Sequence, residues 1–157
     1  EMKLYFRQTE LGEIGIAEIG GSVTNVYLDR GDVPQDAEIC ETDLIREAFR
    51  QLEAYLAGDL KRFSLPLAPA GTEFMRKVWT ILVRVPYGKT ASYKDIAEAA
   101  GNPGAARAVG QANNRNPIPV FIPCHRIIGA NGKLVGYRGG LDMKQKLLDL
   151  ERREKTA

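Results

Sequence analysis

The sequence has few residues of the kinds that build metal centres and disulfide frameworks. Its 157 residues include one histidine, His125, and two cysteines, Cys40 and Cys124. A structural zinc site usually takes four Cys or His ligands, so these three residues could complete one only if carboxylates joined them. We therefore expect no metal and no cofactor. We also expect both cysteines to remain reduced thiols, with Cys40 buried.

Long apolar runs are also absent. No stretch approaches the roughly 18 consecutive apolar residues of a membrane-spanning helix, and the first residues lack the basic and apolar regions of a signal peptide. Hydrophobic residues make up 44% of the chain, which suits one ordinary domain or two small ones. These features predict a protein of the cytoplasm, or of the nucleus in a eukaryote, that does not bind membranes.

Charge is distributed unevenly along the chain. Residues 1–71 carry 7 Lys/Arg and 13 Asp/Glu, for a net charge of −6, whereas residues 72–157 carry 15 and 7, for a net charge of +8. A proline-containing segment at 61–71 has the composition of a linker. We predict two domains, 1–71 and 72–157, of which the second is suited to binding a polyanion such as nucleic acid.

The first half predicts a small sheet followed by a helix. Apolar and β-branched residues alternate or cluster at 2–7, 15–19 and 23–28, with glycines between them, which is typical of an antiparallel meander. Thr42 fits a helix N-cap, and apolar residues then recur at helical spacing until Gly58. The predicted fold class is α/β in the α+β sense, a sheet-and-helix domain followed by a mostly helical one.

Short helices dominate the prediction for the second half. Thr72 fits the N-cap of a helix that ends before Pro86. Ser92 and Asp95 have the spacing of a capping box at the start of another helix, and Asn102-Pro103 is predicted to start a further one. Two short helices separated by glycines are typical of a helix-turn-helix, although other helical hairpins share the pattern.

The segment at 122–127 sets Cys124 beside His125 in apolar, proline-containing sequence. Proline lacks a backbone N–H and restricts φ, so residues 116–123 are predicted to form a rigid extended wall that is not a central strand. The thiolate is the attacking form of cysteine, and a free thiol needs a base to reach it at neutral pH. Neighbours in extended backbone face opposite sides, so we expect a turn or a bridging water to link the two side chains.

A second interpretation of this pair is structural: a small buried thiol beside a satisfied core histidine. The residues around it favour chemistry, because Pro-Cys-His-Arg with Asn116 eight residues before the cysteine resembles the signature of the O6-alkylguanine-DNA alkyltransferases. The resemblance extends over roughly residues 71–151. It brings seven residues into the family's spacing together: Tyr93, Arg107, Asn116, Cys124, His125, Tyr137 and Glu151.

The resemblance implies a role for each catalytic candidate. Cys124 is the nucleophile, and His125 takes its proton directly or through water. Glu151 flanks the apolar stripe of the last helix, where a buried carboxylate needs a partner, and His125 is the candidate. Asn116 is expected to brace the turn around the cysteine. Tyr93 would assist rotation of the DNA backbone or donate a proton to the departing guanine.

The resemblance also implies that the second helix of the helix-turn-helix enters the DNA minor groove. Arg107 would fill the gap that a flipped base leaves in the stack. The small residues of this helix allow close approach to the DNA. The DNA-binding candidates are Arg107, Tyr93, Ala105, Ala106 and Gly110.

A base pocket is implied near the glycine-rich stretch that follows the cysteine motif. Its candidate residues are Ile127, Val135, Gly136, Tyr137, Arg138 and Gly139. Arg138 stands where some members of the family have a small hydroxyl residue, and Val135 where some have glycine. We therefore expect methyl transfer, and we leave open whether bulkier groups such as benzyl fit.

The implied function is direct-reversal DNA repair, in which a flipped O6-alkylguanine of duplex DNA gives its alkyl group to Cys124. The thioether is stable, so a molecule reacts once, and we expect a monomer with double-stranded DNA as its partner. An alternative is a lesion-binding protein that flips the base without transfer, although such relatives lack the cysteine. A Cys-His hydrolase would need a histidine distant in sequence and an oxyanion hole.

Overall fold

The structure is a computed structural model that describes residues 1–153. The chain folds as two compact units, Glu1–Ala70 and a second unit that begins at Gly71. The first is a sheet with one long helix, and the second consists mainly of helices. The predicted fold class is therefore confirmed.

The sheet of the first unit is a meander with one added strand. Its order is β3-β2-β1-β4, in which β1–β2 and β2–β3 pair antiparallel and β4 pairs parallel to β1. The three predicted strands are observed. The fourth was not predicted, because a strand of two exposed residues leaves no periodic pattern. The strands are β1 Lys3–Thr9, β2 Gly12–Ile19, β3 Ser22–Tyr27 and β4 Glu38–Ile39.

One amphipathic helix, α1 Asp43–Leu56, covers the sheet. It begins at the predicted cap, where Thr42 Oγ1 accepts a hydrogen bond of 3.1 Å from the backbone N–H of Ile45. Its apolar face is fully buried, with Phe49 among the largest side chains of the core. Cys40, just before the helix, is half-buried, so the prediction that it lies in the core is wrong.

Over residues 71–153, the second unit contains four helices, a single 3₁₀ turn and two short strands, β5 and β6, that pair parallel to each other. The helices α2, α3 and α4 pack on one another, and α2 and α5 both contact the 3₁₀ turn. The elements are α2 Glu73–Val83, β5 Ala91–Ser92, α3 Tyr93–Ala99, α4 Ala106–Asn114, the 3₁₀ turn Cys124–Arg126, β6 Ile127–Ile128 and α5 Leu141–Arg152.

The turn between α3 and α4 begins with a glycine-dependent stop. α3 starts with the predicted capping box and ends in a Schellman motif, with Gly101 at φ 81° and the N–H of Asn102 donating to Ala97 O at 3.0 Å. The predicted start of the next helix at Asn102-Pro103 is wrong. These residues form a turn, in which the N–H of Ala105 donates to Asn102 O, and α4 begins only at Ala106.

Residues 116–123 do not form the predicted extended wall. The chain turns back at Val120, which adopts a positive φ of 75°, and the N–H of Ile122 donates to Ile118 O at 2.9 Å. Proline restricts its own φ but does not forbid a reversal between two prolines, so the pattern alone could not place this turn.

Trp79 anchors the core of the second unit. It is 1% exposed, and its indole N–H donates to Ala112 O of α4 at 2.8 Å. A Cβ at Gly71 would lie 2.5 Å from the indole, so only glycine fits beside this ring. None of the helices between residues 1 and 153 has the length and apolar character needed to span a bilayer.

The capping box of α3 gives a stability prediction. Replacing Ser92 with Ala removes the acceptor for the N–H of Asp95 and should lower the free energy of unfolding of the second unit by about 1 kcal/mol. Trp79 is the single tryptophan, so its fluorescence during urea unfolding reports this unit. Lys94→Ala, on the exposed face of the same helix, is the control and should change stability by less than about 0.5 kcal/mol. Equal effects of the two substitutions would contradict the capping role.

Candidate active site

Cys124 opens the 3₁₀ turn and is only 4% exposed. Its backbone N–H donates to Ile122 O at 2.7 Å, and the N–H of Arg126 donates to Pro123 O at 3.0 Å. The sequence left open a turn or a bridging water at this point, and the structure contains the turn. The nucleophile candidate therefore lies in hydrogen-bonded, buried backbone.

Asn116 stabilises the loop that precedes the cysteine. Its Nδ2 donates to Ile122 O at 2.9 Å, and its Oδ1 accepts from the N–H of Ile118 at 2.9 Å. The side chain is buried, and it partly opposes the rise that burial causes in the pKa of the Cys124 thiol. These two bonds hold the loop that leads into Cys124.

His125 and Glu151 form a buried pair. The imidazole Nε2 lies 2.7 Å from Glu151 Oε2, and the two side chains are 0% and 1% exposed. A carboxylate can only accept, so we assign the ring proton to Nε2 and leave Nδ1 as the basic nitrogen. Burial lowers the pKa of His125, against the opposing effect of Glu151, which favours a neutral imidazole that can accept a proton.

Arg126 completes the surroundings of the carboxylate. Its Nε donates to Glu151 Oε1 at 2.9 Å and its Nη2 to Oε2 at 3.0 Å, a two-point contact, while Nη1 donates to Val85 O at 2.7 Å. The N–H of Gly88 also donates to Oε1, at 3.2 Å. These contacts neutralise and fix the carboxylate, so its position relative to His125 is set by several independent bonds. We call Glu151, His125, Arg126 and Gly88 the carboxylate cluster.

The electrostatics of Cys124 combine opposing effects. Burial raises the pKa of the thiol, because a thiolate loses its hydration there. The hydrogen bond from Asn116 and the positive charges of Lys144 and Arg138 lower it. The thiolate therefore depends on a base and on nearby cations, and not on exposure to water.

Lys144 is a buried cation beside a glycine-rich loop, residues 133–140. The side chain is 0% exposed, and its ammonium donates to Val135 O at 2.9 Å and to Gly136 O at 3.3 Å. The Tyr93 hydroxyl, from the start of α3, donates to the same Val135 carbonyl at 3.4 Å. The loop is therefore held from both α3 and α5.

The Tyr137 hydroxyl and Asn113 Oδ1 are buried polar atoms that make no hydrogen bond within residues 1–153. The Asn113 amide does donate to Cys124 O, at 3.4 Å. Buried polar atoms that lack a partner are uncommon and often face a ligand. Over the same residues, no three His, Cys, Asp or Glu side chains are grouped so that they could hold a metal ion.

Two family models match nearly all of the chain. The model described as 6-O-methylguanine DNA methyltransferase, DNA binding domain, matches residues 73–153, and the one described as its ribonuclease-like domain matches residues 2–69. This chain belongs to the 6-O-methylguanine DNA methyltransferase family. The family predicted from the cysteine motif is therefore confirmed.

Curated relatives that match most of this chain are named methylated-DNA–protein-cysteine methyltransferases. A methylated-DNA–protein-cysteine methyltransferase of Methanosarcina acetivorans is 58% identical over 120 residues, covering 76% of each chain. The constitutive enzyme of Bacillus subtilis is 49% identical over 152 residues, covering 92% of each. A crystal structure of Mycobacterium tuberculosis OGT in complex with DNA has a TM-score of 0.90 at 41% identity, and covers 96% of this chain and 92% of that one.

In this methyltransferase family member, the predicted DNA-contacting residues lie in the first half of α4, at its N-cap and, for Tyr93, at the start of α3. Arg107 is exposed, whereas Ala105, Ala106 and Gly110 are half-buried. A Cβ at Gly110 would lie 3.6 Å from the Tyr93 ring, so α4 packs close to that ring. Arg107 is thus placed where a partner can reach it.

The predicted pocket residues occupy two environments. Ile127 is fully buried in β6, and the Tyr137 hydroxyl is buried although the residue as a whole is half-buried. The remaining four belong to the glycine-rich loop: Val135, Gly136 and Arg138 are exposed and Gly139 is half-buried. The loop thus offers both a surface and a buried hydroxyl close to the cysteine.

Sequence reasoning missed Lys144 and Asn113 as residues of this methyltransferase site. A detectable signal existed for Lys144, because it precedes Leu147, Leu148 and Glu151 by three, four and seven residues, which puts all four on one face of α5. For Asn113, the partner is a backbone carbonyl eleven residues later, and no local pattern predicts that contact.

Removal of the carboxylate charge tests the cluster. Glu151→Gln keeps the shape but leaves Arg126 buried without its counter-charge, and should lower the free energy of unfolding by about 3 kcal/mol in urea titrations followed by Trp79 fluorescence. Glu98→Gln, the same change on the exposed face of α3, should have an effect below about 0.5 kcal/mol. A Glu151→Gln effect no larger than that of the control would contradict the importance of the cluster.

Proposed function

We propose that this chain repairs O6-alkylguanine in duplex DNA by transferring the alkyl group, methyl above all, to Cys124 in a single-turnover, irreversible reaction. The observation that carries the proposal is that Cys124, His125 and Glu151 are all buried, with His125 next to Cys124 in sequence and bonded to Glu151. They lie in a chain that belongs to the 6-O-methylguanine DNA methyltransferase family. The type of enzyme, a methylated-DNA–protein-cysteine methyltransferase, follows from the family.

The thiol proton has a defined path in this proposal. Glu151 accepts from Nε2 of His125, which keeps the basic lone pair on Nδ1 for the proton of Cys124, taken directly or through a water. Burial lowers the pKa of His125, which favours the neutral ring that can accept this proton without first losing one. No metal is needed to activate the sulfur.

The transfer itself is an in-line displacement. The bond between Cys124 Sγ and the alkyl carbon forms as the bond between that carbon and guanine O6 breaks. The electron pair goes to guanine, which gains one proton, so the products are guanine and a neutral thioether. Tyr93, next to the glycine-rich loop, would donate its hydroxyl proton to guanine and regain one from the proton that His125 took from the thiol, or would assist rotation of the nucleotide.

DNA is the partner of this chain. A flipped nucleotide is required, because the O6-alkyl group of a stacked guanine cannot reach a buried sulfur. The finer proposal is that α4 enters the minor groove, with Arg107 filling the gap in the stack and the small residues Ala105, Ala106 and Gly110 allowing close approach. The net charge of +8 over residues 72–157 favours this half as the DNA-binding surface, acting as a monomer.

Polar atoms that lack partners support a base-binding role for the surroundings of Cys124. The Tyr137 hydroxyl and Asn113 Oδ1 are buried without hydrogen bonds inside residues 1–153, so a bound guanine could satisfy them. The carbonyls of Cys124 and Ile127 are candidates to accept from its exocyclic amine. The exposed residues Val135 and Arg138 would limit how large an alkyl group is accepted. The cytoplasmic location stays a prediction.

The lesion-binding alternative is not favoured, because curated relatives that cover up to 92% of this chain are named cysteine methyltransferases and Cys124 is present. Incubation with a methylated duplex should therefore raise the intact mass of the protein by about 14 Da, the difference of one methylene, because the transferred methyl replaces the thiol hydrogen. Cys124→Ser should show no gain and should still bind the duplex. Cys40→Ser is the matched control and should gain the same mass as the unmodified protein; a gain in the Cys124 variant would refute the assignment.

Arg107 gives a second prediction, on base flipping. Arg107→Ala should slow transfer from duplex DNA by about tenfold or more, because no side chain then fills the gap that the flipped base leaves in the stack. Reaction with free O6-alkylguanine should be nearly unchanged. Rates are measured by following the mass shift in time. Arg62→Ala, the same loss of charge on an exposed residue of the first unit, should change neither rate. An equal loss on both substrates would count against a flipping role.

A further inference from the structure

Within residues 1–153, the buried ammonium of Lys144 has no carboxylate partner. It is 0% exposed, and within residues 1–153 no Asp or Glu oxygen lies within salt-bridge distance of its Nζ. Burying an ammonium without a counter-ion costs several kcal/mol, and such a group is retained where its charge has a use. Burial accordingly lowers the pKa of Lys144.

Within residues 1–153, the ammonium of Lys144 donates its hydrogen bonds to the glycine-rich loop. Its ammonium donates to the carbonyls of two consecutive residues, Val135 and Gly136, at 2.9 and 3.3 Å. The Tyr93 hydroxyl donates to the same Val135 carbonyl, at 3.4 Å. If Tyr93 turns to serve a flipped nucleotide, Lys144 is the group that still holds the loop.

Lys144 is the buried cation near Cys124 that makes no salt bridge within residues 1–153. Glu151 is engaged by Arg126 and by His125, both in short contacts. The groups that act on Cys124 from the loop and α3 are Arg138, which is exposed, and two phenols, Tyr93 and Tyr137, which burial keeps neutral. Ionisation of Cys124 would supply the anion that the buried ammonium lacks.

We propose that Lys144 is a positioning residue for the transfer, which holds the glycine-rich loop beside Cys124 and acts as the counter-charge of its thiolate. The inference deepens the proposed function and rests on it, because it assigns the means by which that site ionises its nucleophile. Mutual effects of the two groups support it: the charge of Lys144 lowers the pKa of Cys124, and the thiolate raises the pKa of Lys144.

Two consequences follow for the reaction. Before transfer, ionisation of the sulfur and ordering of the loop favour each other. The reason is that the same ammonium balances the thiolate charge and donates to the loop carbonyls. After transfer, the sulfur is a neutral thioether, so Lys144 loses its counter-charge while it still holds the carbonyls of Val135 and Gly136. The alkylated protein should therefore hold this loop less firmly than the unreacted protein.

The first test uses iodoacetamide, a small electrophile that reads thiolate content without DNA. In a Cys40→Ser background, the rate of Cys124 alkylation is measured by mass between pH 6.5 and 9. Lys144→Met, which keeps the length and removes the charge, should lower the rate about tenfold at each pH, equivalent to a rise of about one unit in the pKa of the thiol. Lys144→Arg should restore most of the rate, and Lys146→Met, on the exposed face of α5, should leave it unchanged.

Hydrogen exchange of amides 134–139, measured on the same variants, reports how firmly the glycine-rich loop is held. Exchange should be faster in Lys144→Met than in the unmodified protein and in Lys146→Met. Unchanged iodoacetamide rates together with unchanged exchange in folded Lys144→Met would overturn the proposal. A rate that Lys144→Arg fails to restore would overturn the counter-charge role.

A second measurement does not depend on the folding of a Lys144 variant. Coupling between two titrations is reciprocal, so Cys124→Ser should lower the pKa of the Lys144 ammonium, followed by NMR, by about one unit relative to the unmodified protein. An unshifted titration would overturn the proposal. The unmodified protein could fail to transfer methyl from DNA while the Lys144 variants still change the rate of Cys124 alkylation by iodoacetamide as expected. That result would contradict the proposed function and leave the role of Lys144 in place.

Discussion

The buried carboxylate of Glu151 is the constraint on which the site depends. It accepts from His125, from two nitrogens of Arg126 and from the N–H of Gly88, and so ties α5 to the 3₁₀ turn and to the loop after α2. One group thereby fixes the tautomer of the imidazole and balances a buried guanidinium. The turn that presents Cys124 is positioned through these bonds and through the Asn116 contacts on the preceding loop.

The site has to resolve a conflict between burial and ionisation. A buried sulfur is protected from oxidants and competing electrophiles, but burial raises the pKa of Cys124 and disfavours the thiolate. The structure offers a neutral base in His125 and a buried cation in Lys144, which act on the same sulfur from different elements. In the proposed reaction, these groups make a thiolate available where water cannot stabilise it.

Periodic patterns predicted most of the fold. The alternation in β1 to β3, the Thr42 cap of α1 and the capping box of α3 are local features, and each is observed where the sequence placed it. The predictions failed where local rules compete: the chain reverses at Val120 between two prolines, and α4 starts after a turn that follows the Schellman motif.

The site was predictable to the extent that it follows from short motifs and helical spacing. The contact between His125 and Glu151 was predicted because Glu151 lies one helical turn after the apolar residues Leu147 and Leu148. Lys144 was overlooked because a lysine within a helix usually lies in solvent. The Asn113 contact with the Cys124 carbonyl depends on how α4 packs on the 3₁₀ turn. Such tertiary contacts leave no trace in a local window of sequence.

The central claim is that Glu151 holds His125 neutral, with its proton on Nε2 and its basic lone pair on Nδ1. Because His125 is the single histidine of the chain, its ring ¹⁵N signals need no assignment by mutation. At pH 7, NMR of the DNA-free protein should show a neutral ring protonated at Nε2. A ring protonated at Nδ1, or a doubly protonated imidazolium, would contradict the account.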